Sequence, residues 1–195
     1  MAVNLSKGQR VNLDKGMTAA LIGLGWSVNQ YAGNADFDLD ASVFMLGKNG
    51  KVRRDEDFIF YGNLESEDGS VRHMGDNLVG GSGGDDEVIL IDFTKVPDDV
   101  DKIVIAVTIY EAEERGQNFG QVSQAYVRLA KLDAPDDTVG TDVIRFDLAE
   151  EFSIETALVF CEIYRYNGEW KFNAVGAGYQ GGLRALCLAN GVDVA

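Results

Sequence analysis

The chain reads as all-β: an antiparallel β-sandwich of two sheets with few short helices, one of them near the C-terminus. Three observations predict this class. Alternation of apolar and polar residues with a period of two dominates the sequence. Turn signals recur between the alternating runs, among them Asn49-Gly50, Asp68-Gly69 and Asn167-Gly168. Helical periodicity is confined to short stretches, and many short strands with frequent turns favour a sandwich.

Taken in order, strands are predicted over 18–26, 38–46 and 57–61, then over 87–93 and 102–110. In the 102–110 run Ile103, Ile105, Val107 and Ile109 share one face, and Val104, Ala106, Thr108 and Tyr110 share the other. Both faces are largely apolar, as in a central strand covered on two sides. Later strands are predicted over 126–130, 143–148, 156–166 and 169–175, the last two joined by the Asn167-Gly168 hairpin. A helix is predicted from Gly182 to Asn190, where Leu183, Leu186 and Cys187 fall on one face and Gly191 stops it. A short helical turn is expected between Glu111 and Gln117.

With 195 residues and no linker-like segment, one domain over 1–195 is expected. No apolar run reaches the length of about 18–20 residues that crosses a membrane. The opening residues lack a signal-peptide core, so the cytoplasm is the expected location. A formal charge of −15 disfavours nucleic acid and bare anionic lipid as partners. Cys161 and Cys187 have neither zinc nor redox spacing, and Cys161 reads as a core residue. His73 is the sole histidine and is expected at a surface or strand end. With one histidine, triad catalysis has little to build on, so the chain is read as a non-enzyme.

Two acidic groups carry the functional signal. Asp38 and Asp40 stand on one side of a predicted strand. Asp76, Asn77, Asp85, Asp86 and Glu87 bracket a glycine-rich stretch, and Asp68 can contribute from the preceding turn. Carboxylates about 4 Å apart repel by roughly 4 kcal/mol at an effective dielectric near 20, so either they stay apart or a cation holds them together. Hard oxygen donors suit Ca²⁺. The pattern is not an EF-hand, since Ala41 and Gly47 occupy positions that need glycine and glutamate. Nor is Gly80 to Gly84 a phosphate loop, and Gly23-Leu24-Gly25 reads as strand or bulge.

An ordered set of blocks resembles the TerD tellurium-resistance and stress-protein family. They are Asn4 to Gly8, Leu24-Gly25-Trp26, Phe37 to Ser42, Asp57 to Tyr61, Asp68 to Val71, Gly75-Asp76-Asn77, Gly84 to Glu87, Val107 to Tyr110, Gln117 to Gly120 and Glu169 to Phe172. The resemblance implies a Ca²⁺-binding β-sandwich with ligands at Asp38, Asp40, Asp68, Asp76, Asn77, Asp85, Asp86 and Glu87. It also implies a role in bacterial tellurite resistance and stress response, alongside other proteins of that system, some membrane-associated. Val79 stands where the family has threonine, and Gly81-Ser82-Gly83 stands for its Glu-Gly-Asp. The loss of two acidic side chains leaves one Ca²⁺ site expected and a second open.

Two alternatives stay open at this stage. One is a hydrolase using Mg²⁺ or Mn²⁺ at the acidic cluster, with Arg53, Arg54, Arg72 or Arg115 gripping phosphate. The other is a scaffold in which Ca²⁺ staples the loops and Gln117 to Gly120 meets a partner.

Overall fold

The computed structural model describes residues 2–28, 37–75, 84–148 and 154–194. It is a sandwich of two six-stranded sheets. In chain order the strands are β1 (Val3–Leu5), β2 (Arg10–Asn12), β3 (Ala19–Val28), β4 (Leu39–Leu46), β5 (Phe58–Ile59) and β6 (Val71–His73). Next come β7 (Glu87–Asp92), β8 (Lys102–Ile109), β9 (Val122–Leu132), β10 (Thr141–Asp147), β11 (Ala157–Tyr166) and β12 (Glu169–Tyr179). The helices are α1 (Ala112–Arg115) and α2 (Gly182–Asn190). The first sheet runs β1-β10-β9-β3-β7-β6 and the second β2-β12-β11-β8-β4-β5. Every strand pairing is antiparallel except β1 with β10.

Alternation assigns each side chain to a layer. In β4, Ala41, Val43 and Met45 enter the core between the sheets, with Ile103, Ile105 and Val107 of β8 beside them. The opposite faces of both strands, with Phe44, Leu46, Val104 and Ala106, are covered by Leu186 and Cys187 of α2. β8 lies between β11 and β4, so it is apolar on both faces, as its sequence predicts. The α2 helix has the predicted bounds, and Gly191 ends it in the left-handed region at φ 83°. The hairpin between β11 and β12 turns on Asn167 and Gly168, both at positive φ, the signature of a primed turn.

The differences have local causes. β1, β2 and β6 have three residues each, too few to show a period. The strand predicted over 57–61 is a 3-10 turn, Asp55–Asp57, followed by the two-residue β5. The Arg53 guanidinium bends the chain there by donating to both Asp57 carboxylate oxygens, at 2.7 and 2.8 Å. β9 begins four residues before the predicted strand, at Val122, where Gln124 adopts a left-handed conformation that masks the alternation.

Candidate functional site

The end of the sandwich where β3 finishes and β4 and β7 begin gathers the acidic blocks. Leu24 of β3 pairs with Glu87 of β7, and His73 of β6 pairs with Ile89. Glu87 has the same parity as Ile89 and Ile91, so its side chain turns into the inter-sheet layer. There His73 Nε2 lies 3.0 Å from Glu87 Oε2 and 3.2 Å from the carbonyl oxygen of Ala41 in β4. His73 therefore ties the first sheet to the second at this end. Its Nδ1 accepts the Gly75 N–H at 3.2 Å, so the ring proton sits on Nε2 and is donated to the Ala41 carbonyl. The expectation of a strand-end histidine is met, but the ring is inside: its side chain is 1% exposed.

Asp86 belongs to the same end. Its Oδ2 accepts the Trp26 main-chain N–H at 2.9 Å, and its own N–H donates to the Leu24 carbonyl at 2.7 Å. Asp38 precedes β4, where its carbonyl accepts from Tyr110 N–H at 2.8 Å. Asp76 and Asn77, with the Val79 and Gly81 to Gly83 departures, lie outside the described residues.

The other predicted ligands have different surroundings. Asp40 has the parity of Ser42 and Phe44, so it faces outward from the second sheet, opposite Thr108. Asp85 lies over the outer face of the first sheet. Arg128 donates to it from Nε, 2.9 Å to each oxygen, and from Nη2 at 2.5 Å, while Tyr126 O–H donates at 3.0 Å. The Asp85 bonds hold the Arg128 guanidinium more firmly protonated than usual. Burial, then the Asp85 charge, pushes the Tyr126 phenol up to about 12. Asp68 is at the far end. Its Oδ1 accepts from Ser66 Oγ at 2.9 Å and Ser70 N–H at 2.8 Å, and Ser70 carbonyl accepts from Asp92, the last residue of β7. The length of β7, about 17 Å by strand geometry, separates it from Glu87. Burial raises the Asp68 carboxyl, but bonds from Ser70 and Ser66 and the nearby Arg53 outweigh it and leave the pKa below the usual range.

Sequence reading missed the cradle under Asp85. A Cβ on Gly23 would fall 2.1 Å from Asp85 Oδ2, and one on Gly25 would fall 2.4 Å from the Tyr126 ring. The Gly-Leu-Gly spacing is the one signal that marks this cleared face. Arg53 holds Asp57 and Asp99, and Arg72 holds Asp136, so neither presents an open phosphate grip.

The oxygen-only donors at the shared end suit a hard cation. Among the described residues, no three His, Cys, Asp or Glu side chains form a chelating group by themselves.

The TerD domain model matches residues 1–189. The chain belongs to the TerD family. The tellurium resistance protein TerD of Serratia marcescens is 53% identical over 196 residues, covering 99% of each chain. General stress protein 16U of Bacillus subtilis (strain 168) is 50% identical over 197 residues, and the uncharacterized protein YceE of the same organism 54%, each covering all of both chains. The solved structure of a TerD homologue from Streptomyces coelicolor A3(2) matches with a TM-score of 0.64 at 15% identity, over 90% of this chain and 96% of its own. That of SAV2460, of unknown function, reaches 0.72 at 20% identity, over 92% of this chain and all of its own. These structures bear out the sandwich. Among the described residues, no helix of this TerD-family chain is long and apolar enough to cross a membrane.

Proposed function

We propose that this TerD-family protein binds Ca²⁺ at the end of the sandwich, through Asp86, Glu87 and Asp38 together with Asp76 and Asn77 of the adjoining loop. The observation that supports this reading is the His73 bridge. It brings the acidic start of β7 and the acidic start of β4 to one end, with the His73 ring bonded to the Ala41 carbonyl and packed 3.0 Å from the Glu87 carboxylate. Asp85, held by Arg128 on the outer face, and Asp68, at the far end of β7, are left out of the set, while Asp40 shares the Asp38 side of β4 and is a further candidate ligand. One ion is the reading; a second ion would have to draw on the loop.

The protein acts by binding rather than by turnover. Its one histidine is enclosed, with Nδ1 occupied by Gly75 and Nε2 turned to Glu87 and Ala41, so it is poorly placed to activate water. In this reading Ca²⁺ orders the loops as a surface for other proteins of a cytoplasmic tellurite-resistance or stress-response system, some of them membrane-associated. Calorimetric titration with Ca²⁺ and Mg²⁺ tests the proposal. Saturable Ca²⁺ binding that weakens at least tenfold in Asp86→Asn and persists in Asp68→Asn supports it. No binding below about millimolar Ca²⁺, the weak end of natural sites, contradicts it.

A further inference from the structure

Three asparagines are followed directly by glycine, at Asn49-Gly50, Asn167-Gly168 and Asn190-Gly191. With no side chain to shield it, a glycine nitrogen is open to attack on the side-chain amide before it. The fold treats the three pairs differently. At the first, Asn49 Oδ1 accepts the Lys51 N–H at 3.1 Å, and the Gly50 N–H donates to the Gly47 carbonyl at 2.9 Å. At the third, Asn190 Nδ2 donates to the Leu186 carbonyl at 2.8 Å, and the Gly191 N–H donates to the Leu188 carbonyl at 3.3 Å. A Cβ on Gly191 would fall 3.0 Å from the Lys51 side chain, so that pair is also crowded. Asn167 and Gly168 are both exposed at the tip of the β11–β12 hairpin. Among the described residues, neither the Asn167 side-chain amide nor the Gly168 N–H makes a hydrogen bond. A Cβ on Gly168 would meet nothing within 4 Å. The two-residue turn that closes the hairpin thus leaves both groups in water.

From this contrast we infer that Asn167 is a site of spontaneous deamidation, selected by the fold over the other two pairs. The Gly168 main-chain nitrogen attacks Asn167 Cγ. The N–Cγ bond forms, the Cγ–Nδ2 bond breaks, and ammonia leaves with the proton of the Gly168 N–H. Water then opens the cyclic imide. Addition at Cγ restores the ordinary chain with aspartate at 167, and addition at the main-chain carbonyl carbon gives isoaspartate, with the chain routed through Cβ and Cγ. No oxidant or reductant is needed. Rotation about the Asn167 Cα–C bond brings the two atoms together, and only the exposed turn has to move. At Asn49 and Asn190 the hydrogen bonds must open first, and a bonded amide reacts only from its open state. Isoaspartate adds one backbone atom between Tyr166 and Glu169, the closing pair of the β11–β12 ladder. Either product adds a negative charge close in sequence to Glu169, which holds Lys15 at 2.6 Å.

The test ages the full chain in mildly alkaline buffer, folded and in urea, and follows each asparagine by peptide mapping with mass spectrometry. Trypsin releases Asn167 on the 166–171 peptide and Asn190 on the 185–195 peptide, and cleavage at acidic residues places Asn49 on the 41–55 peptide. Each of these peptides contains a single asparagine. In the folded protein Asn167 is expected to convert roughly tenfold faster or more than Asn49 and Asn190, and in urea the three rates are expected to converge. Isoaspartyl methyltransferase labelling of the 166–171 peptide is expected to report the isomerised product. Equal rates in the folded protein, or faster conversion at Asn49 or Asn190, would overturn the inference. So would an Asn167 left intact in the folded protein once the urea sample has reacted at all three pairs. A preference for Asn167 that persists undiminished in urea would also overturn it, by assigning the selection to local sequence and not to the fold.

Discussion

His73 Nε2 lies 3.0 Å from Glu87 Oε2, with both side chains sealed from solvent, and the same nitrogen lies 3.2 Å from the Ala41 carbonyl across the sandwich. Removing the ring leaves the Ala41 carbonyl without this donor, takes the imidazole from beside the buried Glu87 carboxylate and opens a gap between the sheets. His73→Ala is expected to lose about 3 kcal/mol of stability. His73→Gln, which can still donate to the Ala41 carbonyl, is expected to recover part of it. Urea denaturation of both variants checks the ordering; equal loss would mean that volume, not the hydrogen bond, matters.

Gly23 and Asp85 occupy one space. An alanine at 23 places a methyl group 2.1 Å from Asp85 Oδ2, so the Asp85–Arg128 pair must shift. Gly23→Ala is expected to cost about 1–3 kcal/mol. Arg128→Ala, which strands a carboxylate only 8% exposed, is expected to cost at least as much. Thermal melts of the two single variants and the double variant check this, and the effects should be less than additive because they strike one contact.

At high pH the Tyr126–Asp85 contact limits stability. The folded phenol titrates near 12, above the ordinary value of 10.0. Its contribution is fully present below the unfolded pKa and is lost as pH rises through the folded one. The alkaline limb of the stability curve between about pH 10 and 12 is expected to flatten in Tyr126→Phe, measured by denaturant unfolding at stepped pH.

Asp68 works in the opposite direction. Its folded pKa is lowered, so its contribution is present above the unfolded value of about 3.9 and is lost as pH falls through the folded one. Asp68→Asn should remove part of the acid limb while leaving the Ca²⁺ response intact.

Much of this fold is legible in the sequence because it rests on short-range signals. β8 shows two apolar faces, α2 shows its stripe and its glycine stop, and Asn167-Gly168 marks its hairpin. β1, β2 and β6 are held by pairing with distant strands, which no three-residue pattern reveals. The acidic blocks are also visible as residue types. Which end of a strand each one occupies is not. Asp68 and Glu87 belong to successive acidic blocks, yet β7 holds them a strand length apart. Asp85 and Asp86 are neighbours, yet one meets Arg128 on the outer face and the other meets Trp26 N–H at the strand end. His73 looks like an ordinary polar residue until the second sheet is placed against it.

Terbium luminescence tests the central claim most directly, since Tb³⁺ substitutes for Ca²⁺ and emits when a nearby indole is excited. The Trp26 main-chain N–H holds Asp86 at the proposed site, whereas Trp170 packs on Phe93, just beyond the far end of β7. Emission that Ca²⁺ displaces, that vanishes in Trp26→Phe and that survives in Trp170→Phe is the predicted result. Emission that depends on Trp170 instead, or none that Ca²⁺ displaces, would contradict a calcium site at the Asp86–Glu87 end.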